Sequence, residues 1–248
     1  MTISLEASAW IRRFHPAPAA AARLVCFPHA GGAASYYRPF SAALAPAVEV
    51  LVVQYPGRQD RYGEPAVDDL FVLADRLADV LPAVLDEPVA FFGHSMGASL
   101  AFEVARRLEA RGTRLHTLFV SGRRAPGPPL GEAVHLKNDD ELLAEVKRLG
   151  GTDAAILDDP DIRRMALPAL RSDYRAAETY HYRPGPDVGC PIVALLGDQD
   201  PKVDEAQASG WADRTSAGFD LKTFPGGHFY LKDEAATITR LIGDRLAR

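Results

Sequence analysis

No stretch of this 248-residue chain approaches the roughly 18 consecutive apolar residues that a membrane-spanning helix needs. A basic block is missing as well: 28 Lys and Arg stand against 33 Asp and Glu, for a net charge of −5. That balance argues against nucleic acid as the main partner. The first residues, Met1-Thr2-Ile3-Ser4-Leu5-Glu6-Ala7, carry neither the basic nor the apolar region of a secretory signal. A soluble, cytoplasmic protein is the expectation. Cysteine is scarce: Cys26 lies inside an apolar run and Cys190 directly precedes Pro191-Ile192-Val193. Neither has metal-ligand spacing or an evident disulfide role, so both read as small core residues. With 47% hydrophobic and 25% charged residues, the composition is that of an ordinary globular protein. The length suits a single domain over 1–248 with a large core.

What the chain does have is alternation. Apolar runs fall at 23–27, 48–53, 89–92, 117–120, 192–196 and 221–224. Amphipathic stretches separate most of them, at 37–44, 68–81, 98–108 and 204–214, and another closes the chain at 233–246. Buried strands alternating with helices predict an α/β fold: a mostly parallel central sheet flanked by helices, with ligands at the strands' C-terminal ends. One interval breaks the rhythm. About seventy residues separate the strands near 120 and 192, where a crossover needs roughly half that. It opens on the turn-rich Ala125-Pro126-Gly127-Pro128-Pro129 and then reads as helices. Asn138 can cap a helix whose Leu142, Leu143, Val146 and Leu149 form one face, ended by Gly150-Gly151. A second helical stretch runs over 161–182, with a kink expected at Pro168. Because it follows a strand whose C-terminal end faces the site, the interval of about 125–185 reads as a helical lid insertion.

The strongest local signal is Val89-Ala90-Phe91-Phe92-Gly93-His94-Ser95-Met96-Gly97. An apolar run enters a G-x-S-x-G pentapeptide and a helical pattern leaves it, the context of a nucleophile elbow at Ser95. The turn is so tight that side chains at 93 and 97 would collide with the neighbouring strand and helix. Alone the pentapeptide is weak, since it should occur by chance in about one chain in ten of this length. A serine hydroxyl also needs a base. Of seven histidines, His228 is the best placed, in Pro225-Gly226-Gly227-His228-Phe229 between the last strand and the last helix. The imidazole in turn needs a carboxylate to hold its tautomer. Gly197-Asp198-Gln199-Asp200 supplies two candidates, Asp198 and Asp200, and spacing leaves the choice open. The order Ser, Asp, His is that of α/β-hydrolases. Two backbone amides should meet an oxyanion. Met96 follows the nucleophile, and Ala30 lies in the glycine-bearing loop Pro28-His29-Ala30-Gly31-Gly32, so these are the expected donors. His29 and His94 then read as supporting residues rather than bases.

Several motifs together resemble the type II thioesterases of polyketide and nonribosomal peptide assembly lines. They are Phe27-Pro28-His29-Ala30-Gly31-Gly32, Tyr55-Pro56-Gly57-Arg58, the elbow, Ser121-Gly122-Arg123-Arg124-Ala125-Pro126, Leu170-Arg171-Ser172-Asp173-Tyr174 and Phe224-Pro225-Gly226-Gly227-His228-Phe229. The resemblance covers about residues 23–232. It implies the α/β-hydrolase fold and hydrolysis of acyl thioesters from the phosphopantetheine arm of acyl or peptidyl carrier proteins, clearing stalled or misprimed groups. The family's G-x-x-D-x-x-V motif maps onto Gly197-Asp198-Gln199-Asp200-Pro201-Lys202-Val203 and selects Asp200 as the acid. The chemistry calls for no metal and no cofactor, and a monomer is expected. Arg123 and Arg124, just past a strand, are candidates to meet the phosphate arm or an acidic carrier surface, against the commoner role of internal salt bridging. Two rival readings stand beside this one. The first is a fatty-acyl chain-releasing thioesterase or esterase on the same scaffold; the second is a non-catalytic binding protein of hydrolase fold.

Overall fold

A computed structural model describes residues 5–85, 88–128, 131–151 and 158–247; residues 1–4 of the N-terminal reading and Pro129 lie outside them. Seven strands form one sheet: β1 Ile11–Arg12, β2 Ala22–Phe27, β3 Val48–Val53, β4 Val89–His94, β5 Leu115–Ser121, β6 Ile192–Gly197 and β7 Phe219–Phe224. Their spatial order is β1-β3-β2-β4-β5-β6-β7, and only the β1–β3 pairing is antiparallel. Every residue of β3, β4 and β6 is buried, as central strands covered on both faces require. The chain winds outward from β2 to β3 and then crosses back to β4, so strand order reverses between β2 and β4. At such a switch point the strand-end loops diverge and leave a crevice. Phe27, at the end of β2, pairs with Gly93 near the end of β4.

Eight described α-helices flank the sheet: α1 Leu5–Trp10, α2 Arg38–Leu44, α3 Leu70–Val80, α4 Met96–Ala110, α5 Asp139–Leu149, α6 Pro160–Thr179, α7 Glu205–Ser209 and α8 Ala235–Leu246. One apolar core joins α3 and α4 to one face of the sheet through residues such as Leu73, Leu77, Phe91 and Phe102. A second joins α2 and α8 to the other through Phe40, Leu44, Phe92, Ile238 and Ile242. Among the described residues, no helix is long and apolar enough to cross a membrane.

Two expectations need correction. The helix expected over 204–214 stops at Ser209, and Gly210 leads into a tighter helical turn, Gly210–Arg214, that buries Trp211. Glycine is a poor helix former, and seating an indole outweighs one more α-turn. Strand β1 was not foreseen. At two residues it is too short to carry an alternating pattern, and its place comes from pairing with Val52 and Val53.

The interval between β5 and β6 is helical, as expected. Asn138 caps α5 with a reciprocal capping box, and Gly150 closes it in the left-handed conformation. Asp159 caps α6, which runs unbroken through Pro168. The two helices share a small core of Val134, Leu142, Leu143, Val146 and Leu170. Leu170 also packs against Gly31 in the loop after β2, so the insertion meets the sheet body as well as itself. Asn138→Ala should cost the cap about 1 kcal/mol. Amide exchange in 139–149 should rise while the global unfolding midpoint stays put; a global shift instead would mean that α5 unfolds only with the whole domain.

Candidate active site

Ser95 stands where β4 turns into α4, with φ 54° and ψ −119°, a conformation that L-residues rarely adopt. Sterics enforce the turn. A Cβ on Gly93 would overlap the Gly97 carbonyl, and one on Gly97 would overlap the carbonyl oxygen of Phe27 at the end of β2. The Ser95 N–H donates to the Ser121 carbonyl at 2.8 Å, which ties the turn to the end of β5.

His228 reaches Ser95 from the loop after β7. Its Nε2 lies 3.1 Å from Ser95 Oγ, and its Nδ1 lies 2.9 Å and 3.0 Å from the two carboxylate oxygens of Asp200. The side chains of His228 and Asp200 are 3% and 0% exposed, so water does not compete for this bond. The Lys202 backbone N–H donates to Asp200 Oδ1 at 2.8 Å and fixes the carboxylate's orientation. Asp198, the other candidate, is exposed and accepts the Gly226 N–H at 2.9 Å, holding the histidine loop rather than the imidazole. The geometry therefore separates two carboxylates that spacing could not.

A chamber of about 50 Å³ opens beside Ser95. Ala30, Met96, His29 and Phe229 line one side, while Val146, Leu149, Tyr174 and Ala177 of the insertion line the other. Both expected oxyanion donors thus border the serine. Met96 opens α4, so its N–H has no intrahelical carbonyl to meet. A polar annex continues past Ser95, lined by Arg123, Arg124, Glu132, Glu178 and Lys202. Arg123 is largely committed inside the fold. Its Nε donates to Ser99 Oγ at 3.0 Å and an Nη donates to the Ala177 carbonyl at 3.1 Å, bracing α6 against α4. Arg124 faces the annex.

Behind His228 lie two more buried imidazoles. Burial, with lesser repulsion from His228, Arg58 and Lys232, pushes the His29 pKa down to about 3. Burial also holds His94 well below the usual histidine range, again with repulsion from His228. His94 Nδ1 sits 3.0 Å from Ser121 Oγ, which meets the Tyr230 hydroxyl at 2.7 Å. Sequence reasoning singled out neither Ser121 nor Tyr230 as a partner of His94, because they join only when β4, β5 and the loop after β7 are side by side. It also gave no role to Arg58 and Asp173. These form a buried pair, Nη1 to Oδ2 at 2.6 Å and Nη2 to Oδ1 at 2.8 Å, although their motifs lie 115 residues apart.

Comparison with known proteins identifies the family. Residues 22–246 match the thioesterase domain family. The chain belongs to the thioesterase family. The thioesterase is 51% identical over 246 residues to Thioesterase PikA5 of Streptomyces venezuelae, covering 98% of this chain and 88% of that one. Among solved structures it superposes on the type II thioesterase BorB from the borrelidin biosynthetic cluster with a TM-score of 0.91 and 52% identity, covering 96% of this chain and 98% of that one. The type II thioesterase YbtT from the yersiniabactin NRPS/PKS pathway matches at TM-score 0.87 and 30% identity, over 96% and 98% of the two chains. These matches bear out the expected fold class and the resemblance read from the motifs.

Because His29 is kept neutral when folded but has an ordinary pKa near 6.5 when unfolded, the unfolded thioesterase binds the extra proton first. The stability linked to this group is complete above about pH 6.5 and is lost progressively as pH falls toward about 3. His29→Phe removes the titration. The difference in thermal midpoint between variant and wild type should move in the variant's favour from pH 7 to pH 5; parallel pH profiles would sink this account.

Proposed function

We propose that this thioesterase hydrolyses acyl groups held as thioesters on the phosphopantetheine arm of carrier proteins, with Ser95 as nucleophile, His228 as base and Asp200 as its acid partner. The contact that carries the reading is the continuous chain Ser95 Oγ, His228 Nε2, His228 Nδ1, Asp200 carboxylate, all within hydrogen-bond reach. His228 takes the serine proton as Oγ attacks the thioester carbonyl. The amides of Ala30 and Met96 meet the oxyanion, and the pantetheine thiol leaves with the proton from His228. Water, activated by the same imidazole, then hydrolyses the acyl-enzyme. His29 and His94 stay neutral at pH 7, so neither adds a full charge beside the imidazolium that forms on His228.

The insertion acts as a lid in this reading, supported by its share of the chamber wall. The likeness to type II thioesterases of biosynthetic clusters supports the editing role over release of a finished product. Arg124, with Arg123 behind it, supplies cationic lining where the phosphate-bearing arm would enter.

Ser95→Ala should abolish acyl-enzyme formation without unfolding the protein, since the side-chain change is small and the strained turn is set by the glycines. Asp200→Asn should lower kcat by on the order of 10³–10⁴-fold, because an amide can leave His228 in the wrong tautomer. Asp198→Asn should change it little, since an amide oxygen can still accept the Gly226 N–H. Comparable losses from both aspartate variants on a carrier-bound acetyl thioester would overturn the assignment of the acid.

Val146→Ala with Leu149→Ala should widen the chamber and raise kcat/KM for long acyl thioesters relative to acetyl. Hydrolysis of a small activated ester, which needs little positioning, should change less. An unchanged ratio of long to short substrates in the folded variant would mean that these helices do not shape the acyl site.

A further inference from the structure

Asp173 lies on α6, far in sequence from every strand-end loop that carries the triad. Its carboxylate nevertheless enters the loop after β2. Oδ2 accepts the Gly31 N–H at 2.7 Å and Arg58 Nη1 at 2.6 Å, and Oδ1 accepts Arg58 Nη2 at 2.8 Å. Arg58 Nη1 also donates to the Gly32 carbonyl at 3.0 Å, and its guanidinium stands over the Tyr55 ring. The side chains of Asp173 and Arg58 are 2% and 8% exposed, so this forked pair is out of water.

The atom that Asp173 holds is informative. Gly32 N–H donates to the His29 carbonyl at 2.9 Å and closes a turn with Ala30 and Gly31 at its centre. Gly31 has φ +74°, the value that a type II turn demands at its third residue. Types I and II differ by a flip of the central peptide, which here joins Ala30 to Gly31. The N–H of that peptide is the group that Asp173 accepts, so the contact anchors the turn one peptide beyond the His29–Ala30 bond that carries the Ala30 N–H. Leu170, one helical turn earlier on the same face of α6, packs so closely that a Cβ on Gly31 would overlap it. Helix α6 therefore grips one glycine of this turn through an apolar and an ionic contact together.

We infer that Asp173, braced by Arg58, is a positioning residue that fixes the peptide orientation of the turn presenting the Ala30 amide, so that the site is complete only with α6 seated. This rests on the proposed role of Ala30 as an oxyanion donor. Loss of a single oxyanion donor costs about 10²–10³ in kcat. Misorienting one without deleting it should cost about 10–100-fold.

The test must separate positioning from mere support of the fold. In Arg58→Met with Asp173→Leu, both buried charges give way to apolar side chains, an exchange that folded proteins often tolerate. Asp173→Asn keeps the shape and one acceptor, and serves if the double variant does not fold. Each is assayed, well below its melting temperature, for kcat and KM on 4-nitrophenyl acetate. Affinity for phenylboronic acid, whose tetrahedral serine adduct carries the negative charge of the transition state, is measured alongside. The expected result is a 10–100-fold fall in kcat and a parallel fall in boronate affinity for the double variant. KM should stay within about threefold, and Asp173→Asn should lie between it and wild type. Folded variants with wild-type kcat and boronate affinity would overturn the inference. Wild-type enzyme and Ser95→Ala are the controls. If ¹¹B NMR shows no Ser95-dependent tetrahedral adduct in the wild type, the proposed function fails as well; if the adduct forms and only the variants match wild type, the clamp alone fails.

Discussion

The close approach of α4 to the end of β2 is the constraint on which the site depends. Only glycine at 97 lets the helix start against the carbonyl oxygen of Phe27, and only glycine at 93 lets the preceding strand end beneath it. That approach fixes the strained backbone of Ser95 and points the first amides of α4 into the crevice at the β2–β4 switch point. The turn at His29–Gly32 leaves β2 at the same place, so two loops from adjacent strands converge on one point. His228 and Asp200 then need only follow β7 and β6, whose ends are also paired, Gly197 opposite Phe224. Sheet register carries the precision that catalysis would otherwise require of flexible loops.

Electrostatics at this edge are sorted by burial. His29 and His228 each lie within ring-contact distance of His94, and all three imidazoles surround Phe229. Only His228 has a carboxylate; burial keeps His29 and His94 neutral. A proton taken from Ser95 therefore has one place to go. His94 contributes in another way, since its Nδ1 joins Ser121 and through it Tyr230, binding the ends of β4 and β5 to the histidine loop.

Much of this was legible in the sequence, for reasons that differ from residue to residue. Buried parallel strands read as apolar runs, so all six expected strands lie within two residues of their observed ends; β7 begins two residues earlier than expected, as an edge strand whose exposed positions blur the pattern. Asn138 and Gly150 announced α5 because capping is local chemistry. Ser95 and His228 were legible because a strained turn and a glycine-flanked loop leave local marks. Spacing alone left Asp198 and Asp200 open, since both are acidic residues in one loop; the family motif pointed to Asp200, and the structure sets Asp200 against His228 and Asp198 against the Gly226 N–H. The Arg58–Asp173 pair was out of reach for a deeper reason: an ion pair between motifs 115 residues apart has no local signature. Arg123, a candidate for binding set against the commoner internal role, turns out to be occupied by Ser99 and the Ala177 carbonyl.

The insertion faces two demands. As the proposed lid it would have to separate from the sheet to admit a substrate, and it has a small core of its own. Some of its links to the body, such as Arg175 to Asp68 and Tyr180 to Glu103, lie away from the reacting groups, but three fall beside them. Asp173 holds the turn at Ala30. Lys202, whose backbone orients Asp200, reaches Glu132 and Glu145 with its side chain. Lys232, in the short turn after His228, donates to the carbonyl of Gly150. Each of these three links joins the cover to a segment bearing one part of the proposed catalytic set. Opening the cover would release the same loops that the chemistry needs held still, so an open enzyme would also be a poorly organised one. In the proposed lid reading, such coupling would guard against idle hydrolysis: the serine would meet its oxyanion turn in working order only with the helices above it closed.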